Sequence, residues 1–419
     1  MTKAGAEARR TAVAAMTSVT DRRQLLGVAL ARAAEGLDPP ERARAGRLAT
    51  GALRWAGRSD RMLGPFLKRL PEDRVMNLLR LAVFEMFVEL APAHAVVDQS
   101  VSLAPRGKTG LVNAVLRNVL RSGPDWDSLP LPGLPKWLRR RLVDAWGRDA
   151  VLAMEAEFAA GPELDLTLRD SGEEESWAKR LGAALRPDGG IRLVEPRQVS
   201  TLPGYEDGAW WVQDAGAAVA ARVLDAQPGE PVLDLCCAPG GKTLQLAASG
   251  AEVTAVDVSM ERMARVEENL ARTGLAATCI VADALNWTSQ GKFDAVLVDA
   301  PCSGTGTLRR HPDLVFVRDG SGIDELVGLQ ARLIDRALLS LRPGGRLVYC
   351  TCSLLPEEGE GQVGAALSRH PDLSVVAPAG DWIDKLWRTT DGMLRIRPDH
   401  WRDKGGIDGF FVACLEKRP

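Results

Sequence analysis

The sequence predicts a multidomain fold with an all-α N-terminal domain, a small α+β middle subdomain and a C-terminal α/β domain. Apolar residues recur every three or four positions from Ala8 to Arg121, which is the period of an amphipathic helix. A stretch rich in proline and glycine, Gly123–Pro135, then interrupts the pattern. From Trp210 onward, short β-prone runs alternate with helical segments, which is typical of βαβ units around a parallel, doubly wound sheet.

The first domain, residues 1–125, is predicted to contain five or more helices. Ala45–Trp55, Val75–Phe87 and Val96–Leu103 each place their apolar residues on one face, and no candidate strand lies between them. Because 46% of the chain is apolar, there is enough material for buried cores. We therefore expect a compact helical domain.

Charge is distributed unevenly along the chain. The whole protein has a formal net charge of −2, but residues 1–125 carry +8 and the remainder carries −10. Arg and Lys bind phosphates without sequence preference, so the N-terminal domain is the predicted polyanion-facing part. The candidate contact residues are Arg54, Arg58, Arg61, Lys68 and Arg69. For any single one of them, an ordinary solvated helix face is an equal alternative.

The positions of the cysteines and the hydropathy of the chain predict the cellular compartment of the protein. All seven cysteines lie in the second half of the chain, in an odd number and mostly within or beside apolar runs. This pattern favours a reducing environment and predicts a cytoplasmic protein. We expect neither a membrane span nor an export signal, because no sufficiently long apolar run is present. Without apolar heptads, we expect a monomer.

Residues 126–205 are predicted to form a linker followed by a small subdomain. Lys136–Ala160 has the pattern of one amphipathic helix. Leu164–Leu168 and Ile191–Val194 have the pattern of short strands, placed on either side of a predicted helix at Glu174–Leu185.

Residues 206–419 are predicted to form the α/β domain. Its predicted strands are Pro231–Leu235, Glu252–Val258, Ala277–Ala282, Phe293–Val298, Arg346–Cys350, Leu373–Val376 and Phe410–Leu415. In such sheets, ligands bind beyond the carboxyl ends of the strands, so the residues after each strand are the candidate site residues.

A glycine-rich turn follows the first of these strands and opens a helix. Its residues, CCAPGGKT from Cys236 to Thr243, would bring backbone N–H groups close to a polar ligand at the positive end of a helix. A P-loop requires glycine at the position of Cys236, and the G-x-G-x-x-G dinucleotide fingerprint is absent. Both of these nucleotide-binding interpretations are therefore weakened.

Three carboxylates, Asp257, Asp283 and Asp299, follow three of the predicted strands. Together they suit a ligand that carries a ribose, an amino-bearing base and a cation, and S-adenosylmethionine fits this description. The alternative is that each carboxylate only caps the next helix.

Two cysteine motifs carry a family resemblance. DAPCSG at Asp299–Gly304 and TCS at Thr351–Ser353 together resemble the paired-cysteine signature of the NOL1/NOP2/Sun family of RNA cytosine-C5 methyltransferases. Leu78–Phe87, Ala93–Ala104 and Gly110–Arg121 resemble the NusB-like RNA-binding domain that precedes bacterial small-subunit rRNA cytosine methyltransferases. The resemblance implies a NusB-like first domain, a small RNA-handling subdomain and a Rossmann-like class I methyltransferase domain.

The resemblance also implies roles for individual residues. Cys352 would be the nucleophile and Cys302 would assist product release, while Asp299 would bind the N3/N4 edge of the base and Lys242 would keep the thiolate charged. The implied cofactor-binding residues are Cys237, Ala238, Pro239, Gly240, Gly241, Lys242, Asp257, Arg262, Asp283 and Asp299. The implied RNA contacts are Arg54, Arg58, Arg309, Arg310 and His311. Two positions depart from the family pattern, which has alanine at Cys237 and asparagine at Gly359.

The expected reaction is transfer of a methyl group from S-adenosylmethionine to C5 of a cytosine in RNA, with 16S rRNA the implied substrate. Addition of a thiolate at C6 makes C5 nucleophilic, which is covalent catalysis. Spacing alone does not say which cysteine attacks, since DNA cytosine methyltransferases carry their nucleophile at the place of Cys302. A tRNA methyltransferase and a non-catalytic RNA-binding assembly factor are alternatives. No metal is expected, because Cys350 and Cys352 lack two further ligands nearby.

Overall fold

A computed structural model describes residues 3–194, 198–289 and 291–418 of the chain. The chain divides into two compact units. The helical unit runs to Gly161 and includes Leu308–Gly320, and the sheet unit consists of Pro162–Thr307 and the part from Ser321 onward. This division differs from the predicted boundaries at 125 and 205. The helices after the linker group with the N-terminal helices, and the small sheet groups with the C-terminal part.

The helical unit confirms the all-α prediction for the N-terminal part. Its helices are α1 (Lys3–Arg22), α2 (Leu26–Ala33), α3 (Pro39–Arg54), α4 (Ala56–Leu63), α5 (Asp73–Phe87), α6 (Ala93–Leu103), α7 (Thr109–Ser122), α8 (Lys136–Trp146) and α9 (Arg148–Ala160). The apolar faces of α1 to α7 meet in one core that includes Met16, Leu48 and Leu79. The single helix predicted at 136–160 is broken at Gly147, which has a positive φ of 82°.

A four-stranded antiparallel sheet begins the sheet unit. Its strands are β1 (Leu164–Leu168), β2 (Ala184–Leu185), β3 (Ile191–Leu193) and β4 (Trp210–Val212), in the order β2-β3-β1-β4. Helix α10 (Glu174–Leu181) packs on it. The predicted helix end at Leu185 is wrong, because Gly182 adopts a left-handed C-cap.

The large sheet has eight strands. They are β5 (Pro231–Leu235), β6 (Glu252–Asp257), β7 (Thr278–Val281), β8 (Phe293–Asp299), β9 (Leu341–Thr351), β10 (Leu373–Val376), β11 (Leu394–Ile396) and β12 (Phe410–Lys417). The order is β10-β12-β9-β8-β5-β6-β7, and β11 also pairs with β12. Strands β5 to β9 are parallel, but β12 runs antiparallel to β9, β10 and β11. The predicted all-parallel sheet is therefore a mixed sheet, since alternation identifies strands but not their direction.

The remaining helices complete the fold. They are α11 (Ala215–Leu224), α12 (Gly241–Ala248), α13 (Met260–Thr273), α14 (Leu314–Val317), α15 (Ile323–Ser340) and α16 (Glu360–Arg369). Short 3-10 helices lie at Gly64–Phe66, Val199–Thr201, Thr305–Thr307, Pro356–Glu358, Lys385–Trp387 and Pro398–Lys404. Among the described residues, none of the helices combines the length and apolar character needed to cross a bilayer.

The segment Leu308–Gly320 belongs to the helical unit although it is flanked in sequence by the sheet unit. The Asp313 carboxylate accepts a hydrogen bond of 2.8 Å from the backbone N–H of Leu26, at the start of α2. Phe316 packs against the helical core, and the guanidinium of Arg80 lies 5.9 Å from the centroid of its ring. The helical unit thus uses a distant part of the sequence to complete its packing.

Candidate active site

The candidate site lies where the order of strands in the large sheet reverses. From β5 the chain adds β6 and β7 on one side, and then β8 and β9 on the other. The carboxyl ends of β5 and β8 are therefore the topological switch point at which open α/β sheets bind ligands. Both the glycine-rich turn after β5 and Asp299 at the end of β8 are found here.

The turn after β5 requires glycine. Gly240 has φ of 101°, which side chains rarely adopt, and it serves as the N-cap of α12. Its backbone N–H donates to the Cys237 carbonyl at 2.9 Å. Lys242, in the first turn of α12, is then directed to the switch point.

Lys242, which is buried, and Asp299, which is partly exposed, form an ion pair. The Nζ of Lys242 lies 2.7 Å from Oδ2 of Asp299. Burial, the largest single influence, lowers the pKa of Lys242, but Asp299 together with Cys350 and Cys352 outweighs it, so the pKa of Lys242 is raised. The thiol of Cys350 donates a hydrogen bond to Oδ1 of Asp299, with 3.4 Å between the sulfur and the oxygen. Burial, and then the charge of Asp299, raise the pKa of Cys350, so this thiol stays protonated.

The two predicted catalytic cysteines are in contact. The Sγ atoms of Cys302 and Cys352 are 3.3 Å apart, and both side chains are partly exposed. Their strands are parallel neighbours, so the loops that follow them meet at the same edge. The hydrogen bond to Cys352, and then burial, raise the pKa of Cys302. Cys302 is thereby kept as a thiol that can donate to Cys352, and the ammonium of Lys242 also interacts electrostatically with Cys352.

The three predicted cofactor carboxylates lie at or just after the carboxyl ends of the parallel strands β6, β7 and β8. Asp257 is buried, and its oxygens accept the backbone N–H groups of Ala238 at 3.1 Å and Ser259 at 2.9 Å. Arg262 donates to the carbonyl of Ala238, and its guanidinium lies 3.9 Å from Asp257.

Asp283 is exposed and accepts from Leu285 N at 3.0 Å and from Asn286 Nδ2 at 2.6 Å, so it also caps its own turn. Asp234 lies beneath the glycine-rich turn, fully buried, and accepts from the hydroxyl of Thr243 at 2.7 Å. Burial raises the pKa of Asp234 to about 7. Within the described part of the chain, its Oδ1 has no hydrogen-bond partner. The turn therefore has a buried acceptor beneath it.

The structure corrects two of the predicted RNA contacts. Arg309 is completely buried and donates to the Gly161 carbonyl at 3.3 Å. Arg58 is only 5% exposed, with its guanidinium 4.9 Å from the ring centroid of Trp55 and 5.1 Å from that of Trp126. Both guanidinium groups pack inside the helical unit and do not face solvent.

The other predicted RNA contacts differ in exposure. Arg54 is partly buried and donates to the Phe158 carbonyl at 2.8 Å. Arg310 is partly exposed and His311 is exposed. Further basic side chains of the helical unit that face solvent are Arg61, Lys68 and Arg69.

Glu358, a site residue that the sequence motifs do not identify, is fully buried beside both cysteine loops. It accepts from the hydroxyls of Ser303 and Ser353, each at 2.5 Å. Its position soon after the TCS motif was the only available signal, because the sequence does not reveal that this glutamate is buried. Among the described residues, no group of three or more potential ligands could hold a metal ion.

Comparison with known proteins gives one consistent result. A family model described as 16S rRNA methyltransferase RsmB/F matches residues 221–416, and a NusB family model matches residues 6–121. Ribosomal RNA small subunit methyltransferase B of Pseudomonas syringae pv. tomato is 35% identical over 403 residues, with 88% of each chain covered. The protein of the same name from Cronobacter sakazakii is 35% identical over 442 residues, with 98% of each chain covered.

A solved structure agrees with the fold. The crystal structure of a methyltransferase homolog protein from Pyrococcus horikoshii is similar with a TM-score of 0.57 and 27% identity. The similarity covers 72% of this chain and 98% of that one.

Proposed function

This chain belongs to the 16S rRNA methyltransferase RsmB/F family, and from that premise we propose that it transfers a methyl group from S-adenosylmethionine to C5 of a cytosine in 16S rRNA. It is an S-adenosylmethionine-dependent rRNA methyltransferase. The proposal that the methyl group goes to C5 of a cytosine is supported by the contact of Cys302 and Cys352 next to the Lys242–Asp299 ion pair.

The residues at the switch point fit the cofactor. A neutral or cationic ligand suits a cleft edged by Asp257, Asp283 and Asp299, and the buried oxygen of Asp234 adds an acceptor beneath the turn. The residues that would hold it are Cys237, Ala238, Pro239, Gly240, Gly241, Lys242, Asp257, Arg262, Asp283 and Asp299. When bound, S-adenosylmethionine supplies an electrophilic methyl group.

Cys352 is the proposed nucleophile. Its thiolate forms a bond to C6 of the target cytosine, which makes C5 nucleophilic enough to accept the methyl group. Cys302, whose raised pKa keeps it a thiol beside Cys352, is positioned to donate a hydrogen bond to that sulfur. A base must then accept the C5 proton while the electron pair of the C6–S bond returns to the sulfur of Cys352. Cys302 is proposed to accept that proton as a thiolate, after its own proton has passed to solvent, and so to assist product release.

Asp299 is proposed to orient the base. As a carboxylate, it can accept hydrogen bonds from N4–H, and from N3 once that atom is protonated in the adduct. Lys242 holds Asp299 from the other side at 2.7 Å, so the carboxylate is preorganised before the base arrives.

RNA docking is proposed for the helical unit, through its exposed basic side chains Arg61, Lys68 and Arg69 and through Arg310 and His311. A target base inside a duplex must be flipped out or already be single-stranded. A monomer in the cytoplasm is our proposal for the state of the enzyme, and sedimentation of the purified protein would test the oligomeric part.

Denaturing gels test the proposed chemistry. Cys302→Ala and Cys352→Ala proteins are incubated with S-adenosylmethionine and unmodified 16S rRNA. We expect a slowly migrating RNA–protein adduct with Cys302→Ala and none with Cys352→Ala. The reverse result would exchange the two roles. If the wild type methylates tRNA but not rRNA, the substrate changes, and if neither RNA is methylated, a non-catalytic RNA-binding role is favoured.

A further inference from the structure

One buried carboxylate connects the two loops that carry the cysteines. Cys302 and Cys352 both lie beyond the ends of their strands, so the strand hydrogen bonds do not hold either thiol directly. Each cysteine is followed by a buried serine. Glu358 accepts from the hydroxyl of Ser303 at 2.5 Å and from that of Ser353 at 2.5 Å, so it binds both loops at once.

Both carboxylate oxygens of Glu358 accept two hydrogen bonds each. Besides the two hydroxyls, it accepts the backbone N–H of Ser303 at 2.9 Å and the amide of Gln330 at 3.0 Å. Its own backbone carbonyl accepts the hydroxyl of Tyr349 at 2.9 Å and that of Thr351 at 3.2 Å. Hydrogen bonds to a carboxylate are short and strong, and a buried network with its partners satisfied is rigid.

Charged and titratable groups surround this carboxylate. The charge of Glu358 acts on the thiol of Cys302 and on the hydroxyl of Tyr349. Arg395 donates to the carbonyl of Ser353 and pairs with Glu360 at 2.6 Å. The hydrogen bond to Cys352, then burial, then the charge of Cys352 and after it that of Glu358 raise the pKa of Cys302. Glu358 therefore acts on Cys302 electrostatically as well as through the serine.

We propose that Glu358 is a positioning residue that sets the separation of the Cys302 and Cys352 thiols by binding the residue after each of them. The proposal rests on the proposed function of the two cysteines. Glu358 does not touch the reacting atoms, so its effect is on geometry. A misplacement of about 1 Å in a reacting group can cost about 10²-fold in rate.

Glu358→Gln is the test, because glutamine has nearly the same shape but must present a donor where Glu358 presents only acceptors. The control is Glu325→Gln, the same change at an exposed site on α15, the helix that supplies Gln330. Two readouts are measured: kcat and KM for rRNA methylation, and the pH dependence of Cys302 alkylation by iodoacetamide without RNA, followed by peptide mass spectrometry.

For Glu358→Gln we expect kcat to fall by about 10²-fold, with KM within about threefold of wild type. The alkylation profile of Cys302 should shift to lower pH, and Glu325→Gln should match wild type in both readouts. A folded Glu358→Gln protein with wild-type kcat and a wild-type alkylation profile would overturn the proposal.

Ser303→Ala provides a second variant, since it removes the hydroxyl that the Cys302 loop donates to Glu358 and leaves the backbone N–H of Ser303 and the hydroxyl of Ser353 in place. We expect changes in the same direction that are smaller, and this variant decides the question by the same readouts if Glu358→Gln does not fold. If wild type methylates no RNA but the alkylation profile still shifts in Glu358→Gln, the positioning role is supported and the proposed function fails.

Discussion

The buried carboxyl of Asp234 is expected to make the sheet unit less stable as the pH rises, and Asp234→Asn is expected to remove this dependence. Asp234 is completely buried, and burial is the main reason that its pKa is raised from 3.8 to about 7. The hydrogen bond from Thr243 opposes this increase, as does the nearby Lys242, while Asp299 and Asp257 add to it.

The sign follows from proton linkage. In the unfolded chain Asp234 ionises near its ordinary pKa, whereas in the folded protein it keeps its proton to about pH 7. The folded state therefore binds more protons between these values, so the stabilising contribution is present at low pH and is lost as pH rises to 7. A shift of about three pKa units corresponds to about 4 kcal/mol, an upper estimate for one fully buried group.

The assay is denaturant unfolding of wild type and Asp234→Asn at pH 5 and pH 8, without S-adenosylmethionine. Asparagine keeps the acceptor for Thr243, and any cost of its amide is the same at both pH values. The difference in free energy of unfolding between Asp234→Asn and wild type should favour Asp234→Asn more at pH 8 than at pH 5, by up to about 3 kcal/mol, because only the two pH units from 5 to the folded pKa of about 7 contribute. Equal changes at both pH values, or a larger gain at pH 5, would refute the reasoning.

Three further predictions concern other parts of the chain. Gly306→Ala, introduced into the Cys302→Ala protein, should abolish the RNA adduct that this protein forms on the denaturing gel, because a Cβ at Gly306 would lie 2.0 Å from the backbone oxygen of Gly409 and would displace the turn after residue 302. Asp313→Ala leaves the buried N–H of Leu26 unpaired at a cost of about 1–3 kcal/mol, so deuterium exchange in the first turn of α2 should become faster. Lys68→Ala should weaken rRNA binding and lower its salt dependence, whereas Arg58→Ala should mainly reduce thermal stability.

The sequence by itself determined the parts of this protein that depend on short contiguous patterns. The bounds of β5 and β10 match their predictions, because a buried strand between turn residues is visible in a few adjacent positions. The carboxylate at the end of β8 and the two cysteines beyond β8 and β9 are also local, and parallel pairing of these strands was enough to bring them together.

Only the tertiary structure decided which residues from distant parts of the chain meet. The antiparallel direction of β12 depends on the path of the chain from β10, which no local pattern records. Arginine is a residue type that often contacts phosphate, yet Arg309 is buried because the segment Leu308–Gly320 packs in the helical unit. The burial of Glu358 could not be predicted from sequence either, since a glutamate is usually exposed. Only its contacts with Ser303 and Ser353 show that it lies between the two cysteine loops. Burial and hydrogen bonding are properties of the packed chain, so they follow from the three-dimensional neighbours of a residue and not from its neighbours in sequence.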